Sequence, residues 1–225
     1  MLNVDNMQEA VDELERCAKM GFAGVMIPTS PPKGRAYDKP EYELLWAAAQ
    51  ANGMPISLHV GCERLTGGEG HMDGLGPNVI VNIDHLVRTS IGNIIYGGVF
   101  ERYPNLYVGS VEHEISWALH FLNRLDFCYT QLTTELRGEY RFKGDVLPSD
   151  FFRSNVFLGF QEDAAGIDNR HRIGMDTIMW GADYPHLEGT FPRSQEILSH
   201  ILADCNEEEK AKITGGNAAR VYNLN

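Results

Sequence analysis

The sequence lacks the features that mark several classes of protein. It has no run of about 18 apolar residues, so it contains no candidate transmembrane helix. Its cysteines, Cys17, Cys62, Cys128 and Cys205, do not have the short spacings that zinc knuckles and redox motifs use. We therefore expect free thiols in a reducing compartment. Because the acidic, amphipathic N-terminus is also unlike a signal peptide, we expect a cytoplasmic protein.

Nucleotide-binding loops and an excess of basic residues are absent too. No G-x-G-x-x-G or Walker-type loop follows an apolar run, which argues against dinucleotide and P-loop sites. Lys and Arg total 19 against 31 Asp and Glu, for a formal net charge of −12. Such a surface repels nucleic acid and anionic membranes, so neither is an expected partner. A small-molecule substrate is the expectation, because a bound cation can reverse the field locally.

Five short apolar runs alternate with amphipathic segments of helical periodicity. The runs cover residues 22–28, 55–60, 106–112, 155–160 and 177–183. This alternation predicts parallel βαβ units in a single α/β domain over residues 1–225, either as an open doubly wound sheet or as a closed barrel. Because the runs are uniformly apolar, we expect the strands to be covered on both faces.

Capping patterns predict where several helices begin. Asp5 with Gln8, and Asp38 with Glu41, have capping-box spacing before helical segments. The periodicity further predicts long helices over residues 79–101 and 115–136.

Polar residues follow three of the apolar runs. His59 lies near the end of the second run, Glu112 ends the third with His113 next to it, and Asp183 ends the fifth. Because the carboxyl ends of parallel strands meet at one edge of the sheet, we expect these side chains to converge. Imidazole and carboxylate groups together suit a divalent metal of the zinc type.

Each of these residues also has a purely structural interpretation. His59 could be a hydrogen-bonded structural residue, Glu112 could cap the helix that starts near Ile115, and Asp183 could cap a turn before Pro185. Their joint placement at successive strand ends favours a functional site over three independent structural roles.

Several segments together resemble the amidohydrolase-2 family of metal-dependent barrel enzymes. They are YGGVFERYPNLYVGSVEHEISW (96–117), NRLD (123–126), WGADYPH (180–186) and GGNAARVYNL (215–224). Residues 46–61 resemble the stretch around the fifth strand of that family. Its members include aminocarboxymuconate-semialdehyde decarboxylase and related aromatic-acid decarboxylases, hydratases and hydrolases. The resemblance implies a (β/α)8 TIM-barrel type of fold, incomplete here, with about strands 4–8 and their helices.

The resemblance also implies roles for individual residues. His59 matches the metal-binding histidine after strand five, and Asp183 matches the aspartate after strand eight, which holds the metal or its bound water. Glu112 lies where decarboxylase members carry a catalytic histidine. His113 is one residue away and would face the other side of a regular strand. Asp183, Glu112 and His113 are therefore the catalytic candidates.

Three residues in loops are candidates for substrate binding. His186 follows strand eight, and Glu63 and His71 lie in the glycine-rich loop after strand five.

The metal ligands of the family's first strand have no counterpart in the sequence. That strand carries an H-x-H or E-x-H pair, and neither motif occurs before His59. The implied cofactor is a divalent metal, zinc in first place and manganese in second, but His59 and Asp183 alone are too few ligands to hold it tightly. Five strands of eight would also leave two sheet edges open, so we expect a homo-oligomer.

Two functions are consistent with these observations. The first is a metal-dependent hydrolase or lyase, that is a decarboxylase or hydratase, which acts on a small carboxylate-bearing aromatic or unsaturated substrate. The alternative is a truncated, catalytically silent remnant with an interaction or assembly role.

Overall fold

The computed structural model of the protein describes residues 1–62, 76–132, 141–186 and 188–224. Each of the five apolar runs forms a strand that is shorter than the run itself. The strands are β1 (Val25–Ile27), β2 (Ile56–His59), β3 (Val108–Val111), β4 (Val156–Phe160) and β5 (Ile178–Trp180). They form one parallel sheet in the order β1-β2-β3-β4-β5. The α/β fold with parallel strands is therefore confirmed.

Helices connect consecutive strands, as expected of βαβ units. They are α1 (Met7–Lys19), a 3₁₀ turn (Pro40–Tyr42), α2 (Glu43–Ala51), α3 (Gly76–Val81), α4 (His85–Tyr96), α5 (Val99–Arg102), α6 (Trp117–Gln131), α7 (Pro148–Asn155), α8 (Ala164–Asp168), α9 (Arg170–Ile173), α10 (Ser194–Ile201), α11 (Glu207–Ala211), a π-helical turn (Lys212–Gly216) and α12 (Asn217–Val221).

Both predicted capping boxes are wrong. The cap of α1 is Asn6, whose side chain accepts hydrogen bonds from the backbone N–H groups of Gln8 and Glu9. Asp38 caps no helix, because Pro40 starts a 3₁₀ turn with Lys39 at its N-cap position. In both cases a neighbouring residue takes the cap position.

The long helix predicted over residues 79–101 is three helices. A turn at residues 82–84 separates α3 from α4, and a second break follows at Gly97 and Gly98. Gly98 has a φ of 69°, which a glycine adopts without a steric cost. Helical periodicity continues through these breaks, so it could not reveal them.

The two faces of the sheet have different environments. One face, here called the helix face, packs against the helices and contributes Ile27, Leu58, Leu158 and other buried side chains to the main core. The opposite face, here called the site face, carries Ser57, His59, Gly109, Val111, Phe157, Gly159 and Met179. Ser57 and His59 on β2 and Val111 on β3 are only partly buried, so this face is covered incompletely, whereas we expected both faces to be covered.

The C-terminal segment covers part of the site face. Val221 joins Phe157 and Met179 in a small second cluster, against which Ala218 and Tyr222 pack. The Tyr222 hydroxyl lies 3.2 Å from the Ser57 hydroxyl. This segment contacts Ser57 on β2, Phe157 on β4 and Met179 on β5. It leaves an open cavity at the carboxyl ends of the strands.

Candidate metal centre

The carboxyl ends of β2, β3 and β5 bring four polar side chains together. His59 Nε2 lies 3.2 Å from Glu112 Oε2. On the other side, Glu112 Oε1 lies 3.6 Å from His186 Nδ1, and His186 Nδ1 lies 3.0 Å from Asp183 Oδ1. Within the described part of the chain, Glu112, Asp183 and His186 each offer a ligand atom within 4.8 Å of one another.

Local hydrogen bonds fix the orientation of His59. Its Nδ1 lies 2.8 Å from the carbonyl oxygen of Val60. Because a carbonyl only accepts, this bond requires a proton on Nδ1, so the neutral ring presents a lone pair at Nε2. The Thr29 hydroxyl, on the neighbouring segment, donates to the His59 carbonyl and ties the end of β2 to the chain after β1.

Glu112 stands at the centre of the group in an unfavourable backbone conformation. Its φ is 64°, in the left-handed region that non-glycine residues seldom occupy. Burial, and next to it the neighbouring Asp183 carboxylate, raises the pKa of Glu112 above its ordinary value. Its Oε2 is buried without a hydrogen-bond partner among the described residues. Strained residues of this kind occur preferentially at functional sites.

Asp183 has the same unusual backbone conformation, with a φ of 51°. Its carboxylate accepts from His186 Nδ1, which lies 3.0 Å from Oδ1 and 3.2 Å from Oδ2. The His186 side chain is 63% exposed, whereas that of Asp183 is 15% exposed. Asp183 therefore orients a histidine whose side chain is largely exposed.

His113 lies next to this group but does not join it. The residue is 2% exposed, and its Nδ1 lies 3.1 Å from the Ser110 hydroxyl. Burial lowers the pKa of His113 to about 4, so the ring is neutral at pH 7. The candidate substrate-binding residues Glu63 and His71 lie outside the described residues.

The donor set fits a divalent cation. The lone pair of His59 Nε2 and the unpaired Glu112 Oε2 face each other at 3.2 Å, and both are acceptors unless a proton or a cation lies between them. A second carboxylate, that of Asp183, lies beside them. Two carboxylates and an imidazole are ligands that zinc and manganese accept. The sequence predicted two ligands, and the structure adds Glu112 and His186 as candidates.

An open cavity of about 240 Å³ adjoins the four side chains. Its polar wall includes His59, Glu112 and Asp183, and the rest is largely apolar, with Phe157 and Trp180 among the lining residues. A polar group at one end and aromatic walls elsewhere are the ordinary arrangement of a small-molecule site.

Two acidic residues near the site were not identified from the sequence. Asp163 accepts hydrogen bonds from the backbone N–H groups of Ile115 and Ser116, so it caps the region where we considered Glu112 as the cap. Glu114 accepts from the backbone N–H groups of Gln161 and Glu162. The Asp163-x-x-Gly166 pattern is a recognisable helix cap, but its second set of partners lies 48 residues away in the sequence.

A comparison with sequence families identifies the chain. The model of the amidohydrolase-2 family, described as amidohydrolase, matches residues 1–224. The chain belongs to this family. The expected fold is confirmed as well, since solved structures of amidohydrolases superpose on the five-stranded sheet and extend beyond it.

Two relatives show how far the similarity extends. The chain is 26% identical over 231 residues to a 2-amino-3-carboxymuconate-6-semialdehyde decarboxylase of Dictyostelium discoideum, an alignment that covers 96% of this chain and 58% of that protein. An amidohydrolase of Mycobacterium avium subsp. paratuberculosis has a TM-score of 0.81 at 22% identity, over 100% of this chain and 57% of that one. The chain thus spans less than two thirds of the length of these relatives.

A second similar structure contains a metal. The dihydroxybenzoic acid decarboxylase of Polaromonas sp. JS666 was solved with manganese and the inhibitor 2-nitroresorcinol. It has a TM-score of 0.74 at 19% identity, over 100% of this chain and 68% of that one. At this identity the likeness establishes the fold. No helix in the described part of our chain is long and apolar enough to cross a membrane.

Proposed function

We propose that this chain binds one divalent cation through His59, Glu112 and Asp183 and acts on a small aromatic or unsaturated carboxylic acid. The observation that carries the proposal is the convergence of these side chains from three strand ends, with the His59 lone pair facing an unpaired Glu112 oxygen. Zinc and manganese both suit this donor set. When bound, the cation would supply positive charge that offsets the negative charge of the substrate oxygens.

The cavity would hold the body of the substrate. Its aromatic and apolar walls, which include Phe157, Met179 and Trp180, suit a planar ring or an unsaturated chain. Gln161, which is 7% exposed and lines the same cavity, offers an amide for one polar substituent. The substrate carboxylate would lie at the polar end, near the cation ligands. Two of the relatives described above are named as decarboxylases, and their names specify carboxylic acids as substrates, which agrees with this assignment.

The reaction that we propose first is decarboxylation, with His186 as the proton carrier. The bond between the ring carbon and the carboxyl carbon breaks, carbon dioxide leaves, and the electron pair stays on the ring carbon. His186 Nε2 then donates a proton to that carbon, and the solvent returns a proton to the exposed imidazole ring of His186. Asp183 holds His186 through Nδ1, so the nitrogen that faces away from the carboxylate is the one that exchanges protons.

Hydrolysis or hydration is a second candidate, favoured by the resemblance to the family. That resemblance implies that Glu112 lies where decarboxylase members carry a histidine. A carboxylate at that position can accept a proton from an attacking water, which hydrolysis and hydration need and decarboxylation does not. The same donor set serves both reactions, so the products distinguish them.

The test measures turnover in the presence of added Mn²⁺ or Zn²⁺. We would incubate the protein with 2,6-dihydroxybenzoate, 5-carboxyvanillate and an aromatic lactone, and follow carbon dioxide release and ring opening. His186→Gln should lower decarboxylation by about 10²- to 10⁴-fold and leave Mn²⁺ affinity nearly unchanged. His200→Gln, an exposed histidine on α10, is the matched control. Full activity of His186→Gln would contradict the assignment of the proton carrier.

A role in assembly without catalysis is the competing proposal. Each edge strand, β1 and β5, pairs with a single neighbouring strand in the described sheet, and such edges promote association. We propose that the chain forms a homo-oligomer in solution. Light scattering at micromolar concentration should give a mass above that of one chain, and a uniform monomer would contradict this proposal. Association without turnover on any of the tested acids would favour the assembly role.

A further inference from the structure

Two carboxylates join the loops that follow β3 and β4. Each carboxylate accepts hydrogen bonds from backbone N–H groups of the other loop, and we call this reciprocal pair of contacts the exchange. Glu114, in the loop after β3, accepts from the backbone N–H groups of Gln161 at 3.3 Å and Glu162 at 3.2 Å. In the opposite direction, Asp163 of the loop after β4 accepts from Ile115 N at 2.9 Å and Ser116 N at 2.6 Å. Four hydrogen bonds thus connect segments that lie 47 or 48 residues apart in the sequence.

Both carboxylates are integral to the packing around them. Asp163 is 8% exposed and uses its second oxygen for Gly166 N at 2.7 Å. Ile115, between the two exchanged carboxylates, is fully buried. It packs so closely on Gly166 that a Cβ at that position would collide with the Ile115 side chain. The two loops are therefore fitted to each other by apolar contact as well as by hydrogen bonds.

This exchange lies immediately beside Glu112. The chain passes from β3 into two residues with left-handed backbone, Glu112 with a φ of 64° and Glu114 with a φ of 52°, on either side of the buried His113. Neither conformation is favourable for a non-glycine residue by itself, so other contacts must hold the segment. The Glu114 side chain and the backbone of Ile115 and Ser116 are the parts of the segment that the loop after β4 holds.

We infer that Glu114 and Asp163 are positioning residues, whose exchange across the two loops holds Glu112 in its left-handed conformation and so directs its carboxylate to His59 and Asp183. The expected effect on metal affinity rests on the proposed metal site, whereas the contacts between the two loops do not depend on it. Without the exchange, the segment would relax toward an extended conformation, and the Glu112 side chain would turn away from the other ligands.

A purely structural role would give a different result. If the two carboxylates only capped the adjacent helices, their loss would lower the stability of the whole protein without a specific effect on Glu112. If they position Glu112, the backbone of Glu112 changes although the lost hydrogen bonds are all made with other residues. Metal affinity falls with it, because groups that orient metal ligands typically change affinity by about 10- to 100-fold.

The experiment compares Glu114→Gln and Asp163→Ala with Glu162→Gln. Glu114→Gln places an amide N–H₂ opposite one backbone N–H and breaks one bond of the exchange. Asp163→Ala removes both bonds that Asp163 Oδ2 accepts from Ile115 N and Ser116 N, together with the bond from Gly166 N to Oδ1. Glu162→Gln removes the same charge from the same loop, but the exposed Glu162 contributes only its backbone N–H. Two quantities are measured: the Kd for Mn²⁺ by electron paramagnetic resonance, and the ¹³Cα chemical shift of Glu112 in metal-free protein, which reports backbone conformation.

We expect Glu114→Gln and Asp163→Ala to raise the Kd for Mn²⁺ at least about tenfold and to move the Glu112 shift toward extended values. Glu162→Gln should change the Kd less than about twofold, since an exposed charge is screened by solvent. Equal effects of Glu114→Gln and Glu162→Gln on both quantities would overturn the inference. If the unmodified chain binds no Mn²⁺, the proposed metal site fails. In that case the ¹³Cα chemical shift of Glu112 alone tests the positioning role, and an unchanged shift in Glu114→Gln overturns it.

Discussion

The helix face and the site face of the sheet are built on different principles. Leu58 and Leu158 on the helix face are fully buried in the main core. Ser110, the polar residue between them on β3, is buried as well and has a hydrogen-bond partner in His113. The site face has a small cluster of three buried residues, and above it His59 and Glu112 lie partly exposed beside an open cavity. The comparison indicates that the helix face stabilises the fold, while the site face is free to carry groups that would destabilise a core.

The largest effect on stability is expected from the helix face. Leu158→Ala, at a fully buried position of β4, should lower the free energy of unfolding by about 2–5 kcal/mol, because it removes buried methyl groups and leaves a cavity. Met179→Ala on the neighbouring β5 is the matched change on the site face and should cost less, since Met179 packs in the smaller cluster. Urea unfolding measures both, and equal losses would show that the site face is packed as tightly as the helix face.

A smaller effect is expected where the site face leaves no room for a side chain. Gly109 on β3 pairs in register with Phe157 on β4, and a Cβ at Gly109 would overlap the Phe157 ring. Gly109→Ala should therefore cost about 1–3 kcal/mol by displacing that ring.

The control for this change is Gly159→Ala on the same face. There the added Cβ would lie 3.6 Å from Val111, an ordinary contact, so the loss should be well below that of Gly109→Ala. If thermal unfolding ranks the two variants in the opposite order, the packing described for the site face is wrong.

The smallest effect is expected at the C-terminal cover. Tyr222→Phe removes the hydroxyl that lies 3.2 Å from the Ser57 hydroxyl, and should lower stability by about 0.5–1.5 kcal/mol. Ser57→Ala combined with Tyr222→Phe should cost less than the sum of the single changes, because each single change leaves one hydroxyl unpaired. An additive result in urea unfolding would show that the two hydroxyls do not interact.

Most of the fold could be predicted from the sequence, because its signals are local. Five apolar runs of strand length gave five strands in one parallel sheet, as the βαβ pattern predicted, while the strand order came from the structure. The boundaries of helices were less accessible. Asn6 and Asp5 are both good capping residues, and the choice between them depends on where the chain leaves the edge of the sheet.

Only part of the candidate site could be predicted. His59, Glu112 and Asp183 follow apolar runs directly, so their convergence follows from the topology of the sheet. The direction of the Glu112 side chain does not follow, because it depends on a left-handed backbone and on contacts with residues about 48 positions further along the chain. Asp163 and Glu114 were missed for the same reason, since their hydrogen bonds join two loops that no local pattern relates.

The contact between His186 and Asp183 could not be predicted from the sequence either. Its position three residues after Asp183 is compatible with many directions of the side chain. The structure shows Nδ1 bonded to that carboxylate, which makes His186 a candidate proton carrier rather than only a substrate contact. The assignments of Asp183, Glu112, His113 and His186 to particular chemical roles stay predictions until the variants are measured.

The most direct test of the central claim is a Mn²⁺ titration of the metal-free chain, followed by electron paramagnetic resonance. We predict saturation at one Mn²⁺ per chain with modest affinity, so that protein purified without chelators retains less than one equivalent of metal. His59→Ala and Asp183→Asn should each abolish this saturation, and His120→Ala, an exposed histidine on α6, should not. A chain that shows no saturable binding, or that binds Mn²⁺ equally well in all three variants, would contradict the account.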